Sequence, residues 1–349
     1  SIVTADAVKI GGGMGKIARG NSDMPVSTYT TSGLPSFTEG ALYWMQWAGV
    51  DSTIIRSYKN DYTNDYGDRG AWVSMMAGGS RVNPKAQGKG IPFDMSFAFH
   101  TDAGTTPGDS IVGSLAIYTL ISNGSRRYPD GEDRIISRIM TDDIQTQIVE
   151  DVRAQFEPKW SRRQLADRSY SESRTPCVPA TLLELLSHQN FADMKYGLDP
   201  EFRFIVSRAI YKGMLKFLSS RYGFHYVVQP LPVNSFSATT TDRNIAKLCW
   251  KETIDTLETT ADPDGFILYT RVDDGAFDNG QIIHDLKKDN GYYTTEVPVS
   301  KGHIYSYQIV AFNDGGRSFP SETLSVGIAS DATKGKTVLI VNNFDRVAP

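Results

Sequence analysis

A change of periodicity at the proline-bearing stretch "VVQPLPVNSF", residues 227–236, constrains this chain most. Upstream, apolar residues recur at helical spacing. Ile136, Met140, Ile144, Ile148, Val152 and Phe156 follow one another every four residues, with Ile135 and Ile139 beside them, which is one wide face of a long amphipathic helix. Downstream, short strand-like runs such as "KLCWKE", "GFILYTRV", "YYTTEVPV", "HIYSYQIVAFN" and "ETLSVGI" are separated by turn residues, as in a β-sandwich. One stretch cannot serve both periods. The chain is therefore expected to hold an α/β domain over 1–228 and an all-β domain over 229–330. A strand-like tail over 331–349, "KGKTVLIVNNFDRVAP" within it, would be the possible start of a further domain.

Within the first domain, strand-like and helix-like segments alternate, which argues for a layered α/β fold. "AVKIGGGMG" reads as a strand entering a glycine-rich turn, and "TEGALYWMQWAG" as a helix with Thr38 as its N-cap, Glu39 in its first turn and Gly49 closing it. "DSTIIRS", "DMSFAFH", "SIVGSLAIYTL" and "CVPATLLELL" read as buried strands. "LDPEFRFIVSRAIYKGMLKFLSSRYG" is the clearest helix, with Asp199 to cap it, Pro200 at its first position and Gly223 at its end.

Bulk properties narrow the function classes. Of 349 residues, 40% are hydrophobic and 22% charged, an ordinary globular mixture. The formal net charge of -4 gives no basic field for nucleic acid, and the densest basic cluster, "WSRRQLADR", is broken by an acid. No apolar run approaches the roughly 18 residues of a membrane helix. The opening "SIVTADAVKI" has neither the basic region nor the long apolar core of a signal peptide, which leaves the compartment open. Cys177 and Cys249 form no metal-knuckle or disulfide pattern, and Cys177 reads as a small core residue.

Three residues carry chemistry. In "FDMSFAFHTDAG", hydrophobic residues alternate into His100, followed at once by a polar, glycine-closed turn. His100 is either a satisfied core histidine or a residue facing a site at the carboxyl end of a strand, where open α/β sheets place their ligands. Glu184 stands inside the apolar "TLLELL", where a carboxylate is costly to bury unless paired, protonated or bound to something. Glu39 either complements a helix dipole or points into the same site.

In their order and spacing these residues resemble the zinc-dependent N-acetylmuramoyl-L-alanine amidases, over residues 7 to 220. "SFAFHTDAG" resembles that family's histidine strand, "TEGALYWMQWAG" its helix-borne metal glutamate, and "VPATLLELLSHQN" its catalytic strand with Asn190 in the expected place. "IIRSYKNDYTNDYGDRGAWV" matches the segment between them through Arg56 and Arg69. The resemblance implies a mostly parallel sheet with helices on both faces. It also implies zinc held by Glu39 and His100, with Glu184 passing a proton from a metal-bound water to the leaving amine. The family's first-turn histidine is absent: Gly12 stands in its place, so only two of three protein ligands are present. Asp102 or His188 could substitute, and Asp102, His188, Asn190 and Arg174 are the candidate substrate-binding residues.

Residues 233 to 329 resemble a fibronectin type III domain, with Trp250 as its core tryptophan and "YSYQIVAFNDGGRSFPSETLSV" as its closing strands. "SFAFHTDAG", "LLELLSHQNFADMKYGLDP" and "FDNG" further resemble large secreted proteins of gut Bacteroidetes that often carry the label xanthan lyase. Three functions follow as expectations. The first is a cell-wall amidase hydrolysing or recognising the bond between muramic sugar and peptide. The second is a non-catalytic glycan- or peptidoglycan-binding module, and the third a polysaccharide lyase drawing on the arginines and tyrosines of "RRQLADRSYSESR". The implied location is periplasmic, cell-surface or secreted, with further domains of the same polypeptide expected.

Overall fold

The computed structural model describes residues 18, 24–34, 39–55, 57–241, 244–331 and 338–341. The expected "AVKIGGGMG" strand, Gly12, Thr38 and Arg56 lie outside these residues. The chain divides into two compact units, one ending at Tyr222 and the other beginning at Gly223. Among the described residues no helix is long and apolar enough to cross a membrane.

The first unit contains helices α1 (Ala41–Trp47), α2 (Ser52–Ile55), α3 (Asp61–Ala77), α4 (Ile135–Gln155), α5 (Ser171–Arg174), α6 (Phe191–Gly197) and α7 (Pro200–Tyr222). Its strands are β1 (Ser96–Asp102), β2 (Leu115–Tyr118), β3 (Ala166–Asp167) and β4 (Ala180–Ser187), in sheet order β1-β4-β2-β3. β1 with β4, and β2 with β3, run parallel, but β2 runs antiparallel to β4. The sheet is thus mixed rather than mostly parallel. β4 is buried along nearly its whole length, and a strand covered on both faces shows the same apolar run whichever way its neighbour points.

The long helices form where the apolar spacing places them. Met140, Ile144, Ile148 and Val152 of α4 and Phe202, Val206, Ala209 and Phe217 of α7 bury against Leu183, Leu185 and Ala116 of the sheet. Asp199 accepts from the Glu201 N–H at 2.8 Å ahead of α7, and Gly223 follows it at φ 69°. A Cβ on Gly213 would sit 2.6 Å from the Ile144 Cα, so glycine lets α7 close onto α4. Between the two helices Lys212 and Asp151 pair at 2.8 Å with side chains 1% and 5% exposed.

Other segments differ from expectation. "DSTIIRS" is not a strand. The Asp51 carboxylate accepts from the Thr53 N–H at 2.8 Å and its hydroxyl at 2.6 Å, and the Asp51 carbonyl accepts from Ile54 N–H at 3.0 Å, which starts the single turn of α2. β2 is shorter than "SIVGSLAIYTL" because Gly113 turns the chain at φ 73°, where a Cβ would meet the Ser161 carbonyl oxygen at 2.2 Å. Helix α1 begins later than expected. Its N-cap is Gly40, and the Asp65 carboxylate of α3 accepts from the Leu42 N–H at 2.7 Å, so Glu39 lies before the helix rather than in its first turn.

In the second unit, β5 (Asn234–Thr241), β6 (Ile245–Lys251), β9 (Lys287–Asp289) and β10 (Tyr292–Pro298) form one sheet in the order β5-β6-β10-β9. β7 (Gly265–Val272), β8 (Gln281–Ile282), β11 (Ile304–Asn313) and β12 (Gly316–Arg317) form the other in the order β12-β11-β7-β8, with β13 (Leu324–Gly327) paired to β11. All these pairings are antiparallel. Trp250, Tyr307, Leu248 and Ile309 are fully buried between the sheets. In the expected tail strand, Val338, Leu339, Ile340 and Val341 form no strand and are 72% to 87% exposed. A lone apolar run has no ladder to join among the described residues.

Candidate functional site

Strand alternation decides which side chains meet. Leu183 and Leu185 face α4, whereas Leu182 of β4 packs with Leu115, Ile117 and Ala98 on the opposite face. Glu184 and His100 share that second face and are register partners across β1 and β4, near the carboxyl ends of both strands. Neighbouring strands lie about 4.8 Å apart, so the two side chains stand side by side.

Their surroundings set their charges. The Glu184 Oε2 atom is buried without a hydrogen-bond partner. Burial pushes its carboxyl above the ordinary range, and the neighbouring His100 only partly opposes this. His100 is held by an acid that local sequence patterns did not single out: its Nε2 lies 2.8 Å from Oε2 of Glu172 in α5. That bond raises the His100 pKa against the pull of its own burial. Burial disfavours charge on Glu172, but hydrogen bonds from His100 and Arg69 together hold its carboxyl below the usual range. Arg69 of α3 donates to Glu172 Oε1 at 2.8 Å and is also paired with Asp65, the acid that caps α1. A continuous chain of polar contacts therefore runs from the start of α1 through Asp65, Arg69 and Glu172 to His100.

The remaining candidates are placed as follows. Asp102 accepts from Arg163 Nη1 at 2.5 Å, and that bond with the Ala103 N–H keeps its carboxyl low despite burial. His188 is exposed at the end of β4, with Nδ1 3.1 Å from the Thr101 hydroxyl. Asn190 is buried: its side chain caps α6 through the Asp193 N–H at 2.9 Å and donates to the Ser110 carbonyl at 3.0 Å. Arg174, the last residue of α5, donates to Ser169 just ahead of that helix. Three of the four arginines of "RRQLADRSYSESR" thus turn to different partners, Arg162 to Asp142, Arg163 to Asp102 and Arg174 to Ser169.

Among the described residues the candidate zinc ligands have protein partners. Glu39 accepts from the Ser32 hydroxyl. His100 is engaged by Glu172, and glycine at position 12 has no side chain to coordinate. Among the described residues no group of three or more His, Cys, Asp or Glu is arranged to hold a metal ion. Catalytic zinc ordinarily takes three protein ligands and an open position.

Glu172 left no signal in the sequence because an acid in a polar stretch such as "SYSESR" has the pattern of a solvated helix turn. Only the packing of α5 against β1 and β4 brings it under His100.

No protein-family model matches the sequence, and no curated protein matches it. Solved structures do. The N-acetylmuramoyl-L-alanine amidase from Clostridium difficile 630 aligns at 19% identity and TM-score 0.29, covering 37% of this chain and 59% of that one. The CwlD amidase from Clostridioides difficile, in complex with the GerS lipoprotein, aligns at 19% identity and TM-score 0.32, covering 46% and 64% respectively. The third fibronectin III domain of human KIAA0343 protein aligns at 10% identity and TM-score 0.25, covering 33% of this chain and 95% of that one. The chain spans less than two thirds of the length of both amidases.

Proposed function

We propose that the first unit recognises an amide-linked glycopeptide at the carboxyl edge of the β1–β4 pair, and that the junction between muramic sugar and peptide in peptidoglycan is its ligand. The observation that carries this reading is the Glu184 carboxyl, unpartnered at Oε2, pushed toward its neutral form by burial and adjacent to the His100–Glu172 pair. The free carboxyl oxygen can accept from an amide N–H, and in the acid form its O–H can donate to the amide carbonyl. Recognition is preferred to hydrolysis because glycine at position 12 leaves the zinc site of the resembled family one ligand short, and an amide requires an activated water. The sequence resemblance to cell-wall amidases supports the choice of ligand, and a place at the cell envelope follows from that ligand.

The test is sedimentation of the full chain with purified peptidoglycan, with released amino groups quantified in parallel with and without added zinc. The expected result is saturable binding without new amino ends, weakened about tenfold in Glu184→Leu, the equivalent of one lost hydrogen bond of about 1.4 kcal/mol. Absence of binding would remove the reading, and zinc-dependent release of amino groups would restore the hydrolase.

A further inference from the structure

Helix α5 is a single turn, and an isolated turn of that length does not hold its own shape. Glu172 nevertheless stands on it and meets His100 at 2.8 Å, so other elements must fix the turn in place. Ser173 is fully buried and shares a hydrogen bond of 2.8 Å with the Thr119 hydroxyl. Ser74 of α3 donates to the Thr175 carbonyl at 3.0 Å. A further anchor is Arg134, which immediately precedes α4. Its Nη2 donates at 2.8 Å to the carbonyl of Arg174, the last residue of α5, where a cation suits the helix dipole. Its Nη1 donates at 3.4 Å to the Thr119 carbonyl, just beyond β2.

Arg134 differs from the other anchors in carrying a charge. It is 4% exposed, its Nε is buried without a hydrogen-bond partner, and among the described residues no carboxylate pairs with it. The two carbonyls and the Tyr128 ring, 4.3 Å from the guanidinium, are what offset that charge. A buried cation without an anion is costly, and an apolar side chain of similar length would avoid the cost. What such a side chain cannot do is hold carbonyls from two different elements in one planar fork. β2, at one end of that fork, pairs with β4, where Leu115 is the register partner of Glu184. Arg134 therefore ties the turn that carries Glu172 to the sheet that carries Glu184, and His100 adjoins both.

We infer that Arg134 is a positioning residue for the site: by capping α5 it sets the place at which Glu172 holds His100. It touches neither His100 nor the ligand and acts through the turn alone. The inference rests on the glycopeptide reading above only for the identity of the ligand whose binding it supports.

The test compares the magnetic resonance signals of the His100 ring, in the full chain at one fixed pH, between wild type and four variants. His100→Asn identifies those signals among the chain's five histidines. Glu172→Gln marks where they lie once the carboxylate contact is lost. Arg134→Met should move them most of the way to that point and weaken peptidoglycan binding about fivefold. Arg134→Lys keeps the charge but cannot span both carbonyls, and should move them in the same direction by less. Phe217→Leu, a defect in the core on the other face of the sheet, should leave them as in wild type. Circular dichroism shows which variants fold, and if Arg134→Met does not, Arg134→Lys decides. Wild-type signals in a folded Arg134 variant would overturn the inference, as would an equal movement in Phe217→Leu. If the signals move as expected but wild type does not bind peptidoglycan, the glycopeptide reading falls and the positioning role stands.

Discussion

Glu172 holds His100 at 2.8 Å, although 72 residues separate them in the chain. The pair is shielded, with side chains 11% and 29% exposed, and Arg69 completes the carboxylate's partners. In this geometry the Glu172 carboxylate favours the protonated form of His100.

Replacing Glu172 with Gln should destabilise the first unit by about 1–3 kcal/mol, as expected for loss of a hydrogen bond between charged groups. The effect depends on pH with a definite sign. The folded pKa of Glu172 lies below its ordinary 4.5, so its contribution is present above 4.5 and is lost as pH falls through the folded value. The folded pKa of His100 lies above 6.5, so its contribution is present below 6.5 and is lost as pH rises through the folded value. The difference in melting temperature between wild type and Glu172→Gln should therefore be largest between 4.5 and 6.5. A difference that does not fall away below 4.5 and above 6.5 would show that the pair does not carry charge.

Glu184 should behave in the opposite manner to Glu172. Its folded pKa is raised, so its acid form supports the fold at low pH, and that support fades as pH rises through the folded value. At neutral pH the unpartnered buried oxygen is a net cost. Glu184→Leu should gain about 1–3 kcal/mol in denaturant titrations at neutral pH and much less near pH 4, while losing peptidoglycan affinity. A variant less stable than wild type at neutral pH would mean that Glu184 has a partner in solution.

Asn190→Ala should cost about 1–2 kcal/mol through loss of the α6 cap, and its peptidoglycan affinity, measured where the variant is fully folded, should match wild type. A specific loss of affinity without loss of stability would return Asn190 to the ligand-binding set.

Zinc should bind weakly. After incubation with excess zinc and dialysis, metal analysis should find well under one zinc per chain, and a chelator should leave the melting temperature unchanged. The reason is the engagement of Glu39 by Ser32 and of His100 by Glu172, together with the glycine at position 12. One tightly held zinc per chain would overturn this.

What the sequence by itself determined is what depends on near neighbours along the chain. The four-residue apolar spacing specifies α4 and α7, whose buried faces contain Met140, Ile144, Val206 and Phe217. The alternation around Trp250 and Tyr307 specifies strands of the second unit, and the unusual cost of an acid among leucines marks Glu184. Tertiary structure alone decided the rest. Asp51 outweighed the strand-like pattern of "DSTIIRS" by capping a turn. The antiparallel direction of β2 left no trace in an apolar run that reads the same both ways. Glu172 and Asp65 looked like solvated helix acids, and Arg69 was marked only by resemblance, until α3 and α5 packed together beside β1. Periodicity reports which face of an element is buried, but the partner of a charged side chain is fixed by where distant elements dock, and no local spacing encodes that.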